Sequence, residues 1–182
     1  GRVVTVTGSG FAANTAIAIT YDGTRVTTTP SAVVSTAKGD VSATFQVPVG
    51  SPGTHTVVVS DGPGTVSATF TITSSASSTV TSGPVGTQTT ISGQGFPPSS
   101  QVTFTFDSAP VSTSPASVTA NASGAFSATV TIPETARGAH TIRIASSETV
   151  LTTVFEVSPK LSATPDSGTV GASATVSGKG FG

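Results

Sequence analysis

The chain has no cysteine, no methionine and no tryptophan. No disulfide can staple it, and no thiolate is available as nucleophile or metal ligand. Charge is scarce as well. Asp, Glu, Lys and Arg make up 8% of the residues, against about 25% in an ordinary globular domain. The net charge is -1, so there is no basic face for nucleic acid or anionic lipid and no acidic tail. No segment approaches the ~18 apolar residues of a membrane-spanning helix, so direct membrane insertion is not expected here. Helical patterning is missing too. Apolar residues do not recur at spacings of three and four, and Thr, Val, Gly and Pro dominate.

What remains is hydroxyl and β-branched. Ser and Thr are about a third of the chain, well above ordinary usage. Apolar residues reach 35% and alternate with them, which disordered Ser-rich segments do not do. That alternation is the signature of half-buried strands. A repeat organises it. "GRVVTVTGSGF" at Gly1 is answered by "GTQTTISGQGF" at Gly86 and by "GASATVSGKGF" at Gly171, an offset of 85 residues each time. Asp22 aligns with Asp107, Gly39 with Gly124, Pro48 with Pro133, His55 with His140 and Phe70 with Phe155, without a gap. A period of this length is too long for a solenoid unit and suits a small domain with its own core.

The expected organisation is a β-sandwich repeat over 1–73 lacking its first strand, a complete repeat over 74–158, and the first strands of a third over 159–182. The simplest reading is a window on a longer array. The segment Leu161–Val170 corresponds to the strand missing from the first repeat, and a neighbouring copy can in principle donate it. In the second repeat, strands are expected near Thr79–Ser82, Gln88–Ser92, Gln101–Asp107, Ser117–Ala120, Ala125–Ile132, His140–Ala145 and Leu151–Val157. Turn signals every 8 to 14 residues place these about seven strands in a two-sheet sandwich. Inward parity falls on Ile91, Val102, Phe104, Phe106, Phe126, Ala128, Val130, Ile132, Ile142, Ile144, Leu151, Phe155 and Val157. The first repeat offers Val6, Ile17, Ile19, Tyr21, Val41, Ala43, Phe45, Val47, Val57, Val59, Val66, Phe70 and Ile72. Phe126 with Val130 becomes Val41 with Phe45, which conserves core volume.

The paired glycines Gly8 and Gly10, Gly93 and Gly95, Gly178 and Gly180 follow a strand. Positive φ is expected there, with Phe11, Phe96 and Phe181 turned back to plug the sandwich end. A phosphate loop would require a following helix and a Lys-Ser or third glycine, and has neither.

"SGPVGTQTTISGQGF" (Ser82–Phe96) and "DSGTVGASATVSGKGF" (Asp166–Phe181) resemble the opening of IPT/TIG-type immunoglobulin-like domains. "GAFSATVTIP" and "GAHTIRI" look like bacterial and archaeal cell-surface immunoglobulin-like repeats. The resemblance implies an all-β tandem of sandwiches, with no shared catalytic residues. It implies an extracellular, cell-surface setting: stalks, adhesins, surface-layer components or accessory modules of secreted enzymes. The expected function is a structural spacer and assembly unit, with other such repeats of the same or neighbouring chains as partners and a homopolymer among the possible assemblies. The alternative is an adhesin or carbohydrate-binding repeat, which the inward parity of nearly all aromatics disfavours.

Chemistry-bearing residues are few. His55 and His140 sit on inward parity and are expected to bond backbone at the sandwich end. With no cysteine and one histidine per repeat, a zinc site is not expected. Asp22, Asp40 and Asp61 read as turn residues. No cofactor is expected; calcium, which requires six to eight oxygens, is the weakly supported option. No Gly-x-Ser-x-Gly elbow or clustered acid pair occurs, so no enzyme is expected. "NAS" at Asn121 is a weak glycosylation sequon in an exposed turn.

Overall fold

The structure, a computed structural model, describes residues 2–181. Among them there is no helix. The chain divides into two compact units, Gly1–Thr73 and Ser74–Gly182.

The first unit contains β1 (Val3–Gly8), β2 (Ala18–Tyr21), β3 (Thr24–Arg25), β4 (Thr28–Thr29), β5 (Val41–Gln46), β6 (Gly53–Ser60) and β7 (Thr65–Ile72). One sheet has the order β1-β5-β4 and the other β3-β2-β6-β7. The second unit contains β8 (Ser75–Ser78), β9 (Ser82–Gly83), β10 (Gln88–Gln94), β11 (Gln101–Phe106), β12 (Ala109–Pro110), β13 (Thr113–Ser114), β14 (Val118–Thr119), β15 (Phe126–Thr131), β16 (Gly138–Ala145) and β17 (Val150–Val157). Its sheets run β13-β15-β10-β8 and β12-β11-β16-β17-β9, with β14 on β11. β18 (Lys160–Thr164) and β19 (Thr175–Lys179) form a separate antiparallel pair.

The pairing register repeats with the sequence. Val6 opposes Ala43 and Ile91 opposes Ala128. His55 opposes Phe70 and His140 opposes Phe155. Alternation therefore turns the same positions inward in both units. Every inward position expected in the second unit is buried except Leu151, which is partly covered. Val85, Phe96, Val118 and Ala120 join them. In the first unit Val6, Phe70 and Ile72 are only partly buried, and Val66 is 60% exposed. The expectation for Val66 thus fails for a physical reason. β7 is the edge of its sheet, whereas β17 has β9 paired with Glu156 and Val157 and β8 packed nearby.

The opening strand differs from expectation. It is not one strand over Thr79–Ser82 but two short ones around a crossing. β8 pairs antiparallel with β10 in one sheet, and β9 pairs parallel with β17 in the other. The Thr79 amide still bonds Thr90 O, while Thr81 O already accepts from Glu156 N, both at 2.9 Å. Val80, an exposed residue, belongs to neither ladder. Thr89 serves its peptide groups instead. Its hydroxyl donates to Val80 O at 2.7 Å and accepts from Val80 N at 3.2 Å. Thr89 is fully buried, so its hydroxyl relies on these bonds. The equivalent positions are Val4 and Ala174 in the other repeats, and Pro165, which lacks an N–H, stands where Val80 does.

Thr89→Val keeps the shape and removes both bonds. It should destabilise the second unit by roughly 1–3 kcal/mol, the net worth of two hydrogen bonds. Thr90→Val, on the outer face, should change stability by less than about 0.5 kcal/mol. Urea unfolding of the two variants checks this; equal small effects would contradict it.

Candidate functional site

The sequence-predicted histidines come together with the one pair of carboxylates common to both units. β2 ends at Tyr21, and Asp22 follows with φ 46°, a left-handed turn conformation that Asp tolerates. Its amide donates to Thr56 O at 2.9 Å, and Thr56 N donates back to Asp22 Oδ1 at 2.8 Å. The other oxygen, Oδ2, lies 2.6 Å from His55 Nδ1. The His55 ring stacks on Tyr21, centroids 5.0 Å apart and 19° from parallel. Its Nε2 lies 3.0 Å from the Ser51 carbonyl oxygen.

The second unit repeats each contact. Asp107 has φ 46°. Its Oδ1 accepts from Thr141 N at 2.9 Å, and its Oδ2 is 2.5 Å from His140 Nδ1. His140 Nε2 is 2.9 Å from Ala136 O, and Phe106 stacks on the ring at 5.1 Å and 21°. The clasp ties the end of one strand to the start of the next and to the loop before it.

Both ring nitrogens face acceptors. A neutral imidazole has one N–H and can satisfy only one of them; the imidazolium satisfies both. The hydrogen bond to the aspartate accordingly raises each histidine above its usual value. Partial burial opposes this, and the backbone carbonyl adds to it. At His140 the charges of Asp107 and Glu156 also help. The same bond, with the Thr56 or Thr141 amide, lowers Asp22 and Asp107. The aspartates are 48% and 47% exposed, so solvent screens the attraction and geometry is the clasp's main product.

This arrangement has a definite chemical limit. A general base needs a free ring nitrogen facing a substrate proton. Here Nδ1 is bound to carboxylate and Nε2 to a main-chain carbonyl, so neither is presented. The dyad positions backbone.

The paired glycines have two different reasons. Only the second of each pair has positive φ: Gly10 83°, Gly95 72° and Gly180 71°. The expectation of positive φ at Gly8, Gly93 and Gly178 is corrected. A Cβ there would meet an aromatic ring, at 2.8 Å from Phe11, 2.1 Å from Phe126 and 2.5 Å from Phe181 respectively. The ring lies flat where a side chain would stand. In the second unit Phe126 covers Gly93, and Phe96 sinks to full burial edge-on to it, centroids 4.9 Å apart. In the first unit Val41 replaces Phe126, and Phe11 covers Gly8 while half-buried. Phe181 is 59% exposed and plugs nothing.

Asn121 is exposed, and its Oδ1 accepts from Ser123 N, Ser123 Oγ and Ala125 N. Thr36 serves the same turn in the first unit, its hydroxyl accepting from Lys38 N and Asp40 N. Asp61 accepts from Ala12 N and Gly64 N, which lower its pKa. Among the described residues, no three His, Cys, Asp or Glu side chains are grouped as a metal site requires. Sequence reasoning placed the histidines and the turn aspartates separately and missed that they pair. A signal was available: Asp22 is the only charged residue of the first repeat that recurs in the second, and His55 recurs with it.

The clasp predicts the pH dependence. A raised histidine stabilises below its usual pKa, and that contribution is lost as pH rises through the raised value; a lowered aspartate stabilises above its usual pKa and loses this on acidification. The clasp is therefore strongest between about pH 4 and about pH 6.5, the two ordinary values. NMR titration should place both histidine midpoints above about 6.5, and Asp107→Asn should return His140 alone toward that value. Midpoints at or below it in the unaltered chain would contradict the clasp.

The IPT/TIG domain family matches residues 1–74. In sequence, the chain matches no curated protein. Among solved structures, the D00-D0 domain of intimin is 17% identical over 87% of this chain and 85% of that one, with a TM-score of 0.40. The Yersinia pseudotuberculosis adhesin InvE is 17% identical over 86% of this chain and 54% of that one, TM-score 0.38. Domains 4 and 5 of the S-layer protein SbsC are 24% identical over 81% of this chain and 73% of that one, TM-score 0.35. With its first unit matched along its length by the IPT/TIG domain family and the 85-residue repeat carrying the same register into the second, the chain is an all-β tandem of immunoglobulin-like sandwiches.

Proposed function

We propose that the chain is a structural repeat segment of an extracellular stalk, fibre or surface-layer protein, acting as spacer and assembly unit. One observation carries this reading: what the two repeats share is frame, not surface. Arg2, Arg25, Lys38, Asp40 and Asp61 are replaced by Thr87, Pro110, Ser123, Ala125 and Ser146. Glu134, Arg137, Arg143, Glu148 and Glu156 stand where the first repeat has Val49, Pro52, Val58, Pro63 and Thr71. Only Asp22 and Asp107 correspond, and the fold itself uses them. A binding function exercised by each repeat would retain outward groups besides hydroxyls. Sugar-stacking platforms need an exposed aromatic face, and among the described residues Phe181 is the one exposed aromatic side chain. Among the described residues, no helix is long and apolar enough to cross a membrane.

The second unit also has a feature suited to tension. Its opening strand β9 runs parallel to its closing strand β17, tied by Glu156 N to Thr81 O at 2.9 Å and Ser158 N to Gly83 O at 3.0 Å. Pulling the unit by its two ends drags these strands in opposite directions, so their bonds share the load in shear instead of opening singly.

Single-molecule pulling of the full chain should give two unfolding events, each releasing roughly 25 nm at ~3.5 Å per residue. The second unit should yield at the higher force, since forced unfolding reports the unfolding barrier. Two equally weak events, or saturable binding of the chain to a specific glycan, would contradict the spacer reading.

A further inference from the structure

The turn between β14 and β15 carries Asn121, Ala122 and Ser123, all three exposed. Its backbone closes it: Asn121 N donates to Ala125 O at 2.8 Å and Gly124 N to Asn121 O at 2.9 Å. The Asn121 side chain folds over this turn. Its Oδ1 accepts from Ser123 N at 2.9 Å, Ala125 N at 3.0 Å and Ser123 Oγ at 2.7 Å. Two of these partners are main-chain N–H groups, which only donate. The atom facing them is therefore the carbonyl oxygen, and the amide nitrogen is the other branch. Among the described residues, Nδ2 has no hydrogen-bond partner. Three donors hold the carbonyl, and the NH₂ group is left to solvent.

The first unit shows that the turn does not need this amide. Thr36 stands where Asn121 does, and Lys38 where Ser123 does. The backbone bonds are the same: Thr36 N donates to Asp40 O at 2.8 Å and Gly39 N to Thr36 O at 2.9 Å. Thr36 Oγ1 alone accepts from Lys38 N at 3.2 Å and Asp40 N at 3.0 Å. One hydroxyl thus serves the same turn. The chain's other asparagine, Asn14, has a structural reason, a φ of 52°, which Asn tolerates. It is followed by Thr15 and Ala16, with no hydroxyl at the second position. Only Asn121 combines a hydroxyl two residues on with an amide nitrogen that the fold leaves unused.

We propose that Asn121 Nδ2 is the acceptor of an N-linked glycan. In the transfer, Nδ2 attacks the anomeric carbon of a sugar carried on a lipid diphosphate. The N–C bond forms as the C–O bond to phosphate breaks. The diphosphate leaves with the bonding pair, and one Nδ2 proton passes to a base of the transferase. Nothing is oxidised or reduced. The acceptor lies on a turn, outside every strand, so a substituent on Nδ2 displaces no pairing. That turn packs on Phe96, whose amide donates to Gly124 O at 3.0 Å. Ser74 Oγ donates to the adjacent Gly95 O at 2.7 Å, so the glycan stands at the end where the chain enters the second unit. The proposal rests on the extracellular reading above, because transfer of this kind acts on exported chains. Its failure leaves the spacer reading, tested by pulling, untouched.

The test is expression of the full chain behind a cleavable secretory leader, in a host that glycosylates exported chains on asparagine. Intact mass is measured on chain from cells and medium alike, so modification is read whether or not the chain is released. The unaltered chain should carry the mass of one N-glycan, which peptide N-glycosidase removes. That enzyme does not release sugars from hydroxyls, so O-linked groups on the many Ser and Thr do not confuse the reading. Asn121→Thr, which the first unit shows the turn accepts, and Ser123→Ala should each lose the glycosidase-sensitive mass completely. An unaltered chain without such mass overturns the proposal, as does such mass surviving in either variant.

Discussion

The second sandwich is closed by its opening strand crossing from one sheet to the other. A strand confined to one sheet adds an edge; a strand that crosses closes the side of the sandwich. Crossing has a local cost, because one residue must leave both hydrogen-bond ladders. In the second unit that residue is Val80, and the buried Thr89 hydroxyl serves its amide and its carbonyl. From this follow the parallel seam with β17 and the complete burial of Phe155 and Val157. The first unit shows the same frame without that closure: Val66 is exposed and Phe70 half-covered.

The remaining ties are local and repeat with the sequence. The aspartate-histidine clasp fixes the far end of the sheet, its carboxylate doing for the Thr56 or Thr141 amide what another strand would do. The glycine-aromatic turn fixes the near end, giving up a side chain so that a ring can lie on the strand. Neither requires charge at the surface. A chain with 8% charged residues can therefore use its two aspartate-histidine pairs for local geometry and leave most of its exterior to Ser and Thr.

Much of this was legible in the sequence, for reasons tied to particular residues. Alternation placed Ile91, Val130, Ile142 and Ile144 correctly because period two is a local property of the chain. It misplaced Val66 because burial there depends on a neighbouring strand, not on parity. Thr89 shares the parity of Ile91, yet its hydroxyl disguised a core position. The crossing at Val80 left no mark in a hydroxyl-rich segment that alternates evenly through it. The clasp was visible in halves: turn aspartates and strand histidines were each recognisable, but their contact joins residues 33 apart. The glycine pairs looked alike, and only three-dimensional packing separates a glycine needed for φ from one needed for space.

The claim that the crossing strand closes the sandwich is tested most directly by amide hydrogen exchange along the full chain. Protection should be high in β10 and β17, which the crossing strand joins, and markedly lower at the equivalent amides of β1 and β7. Equal protection in the two units would mean that the sandwich holds without its opening strand, and would contradict the account.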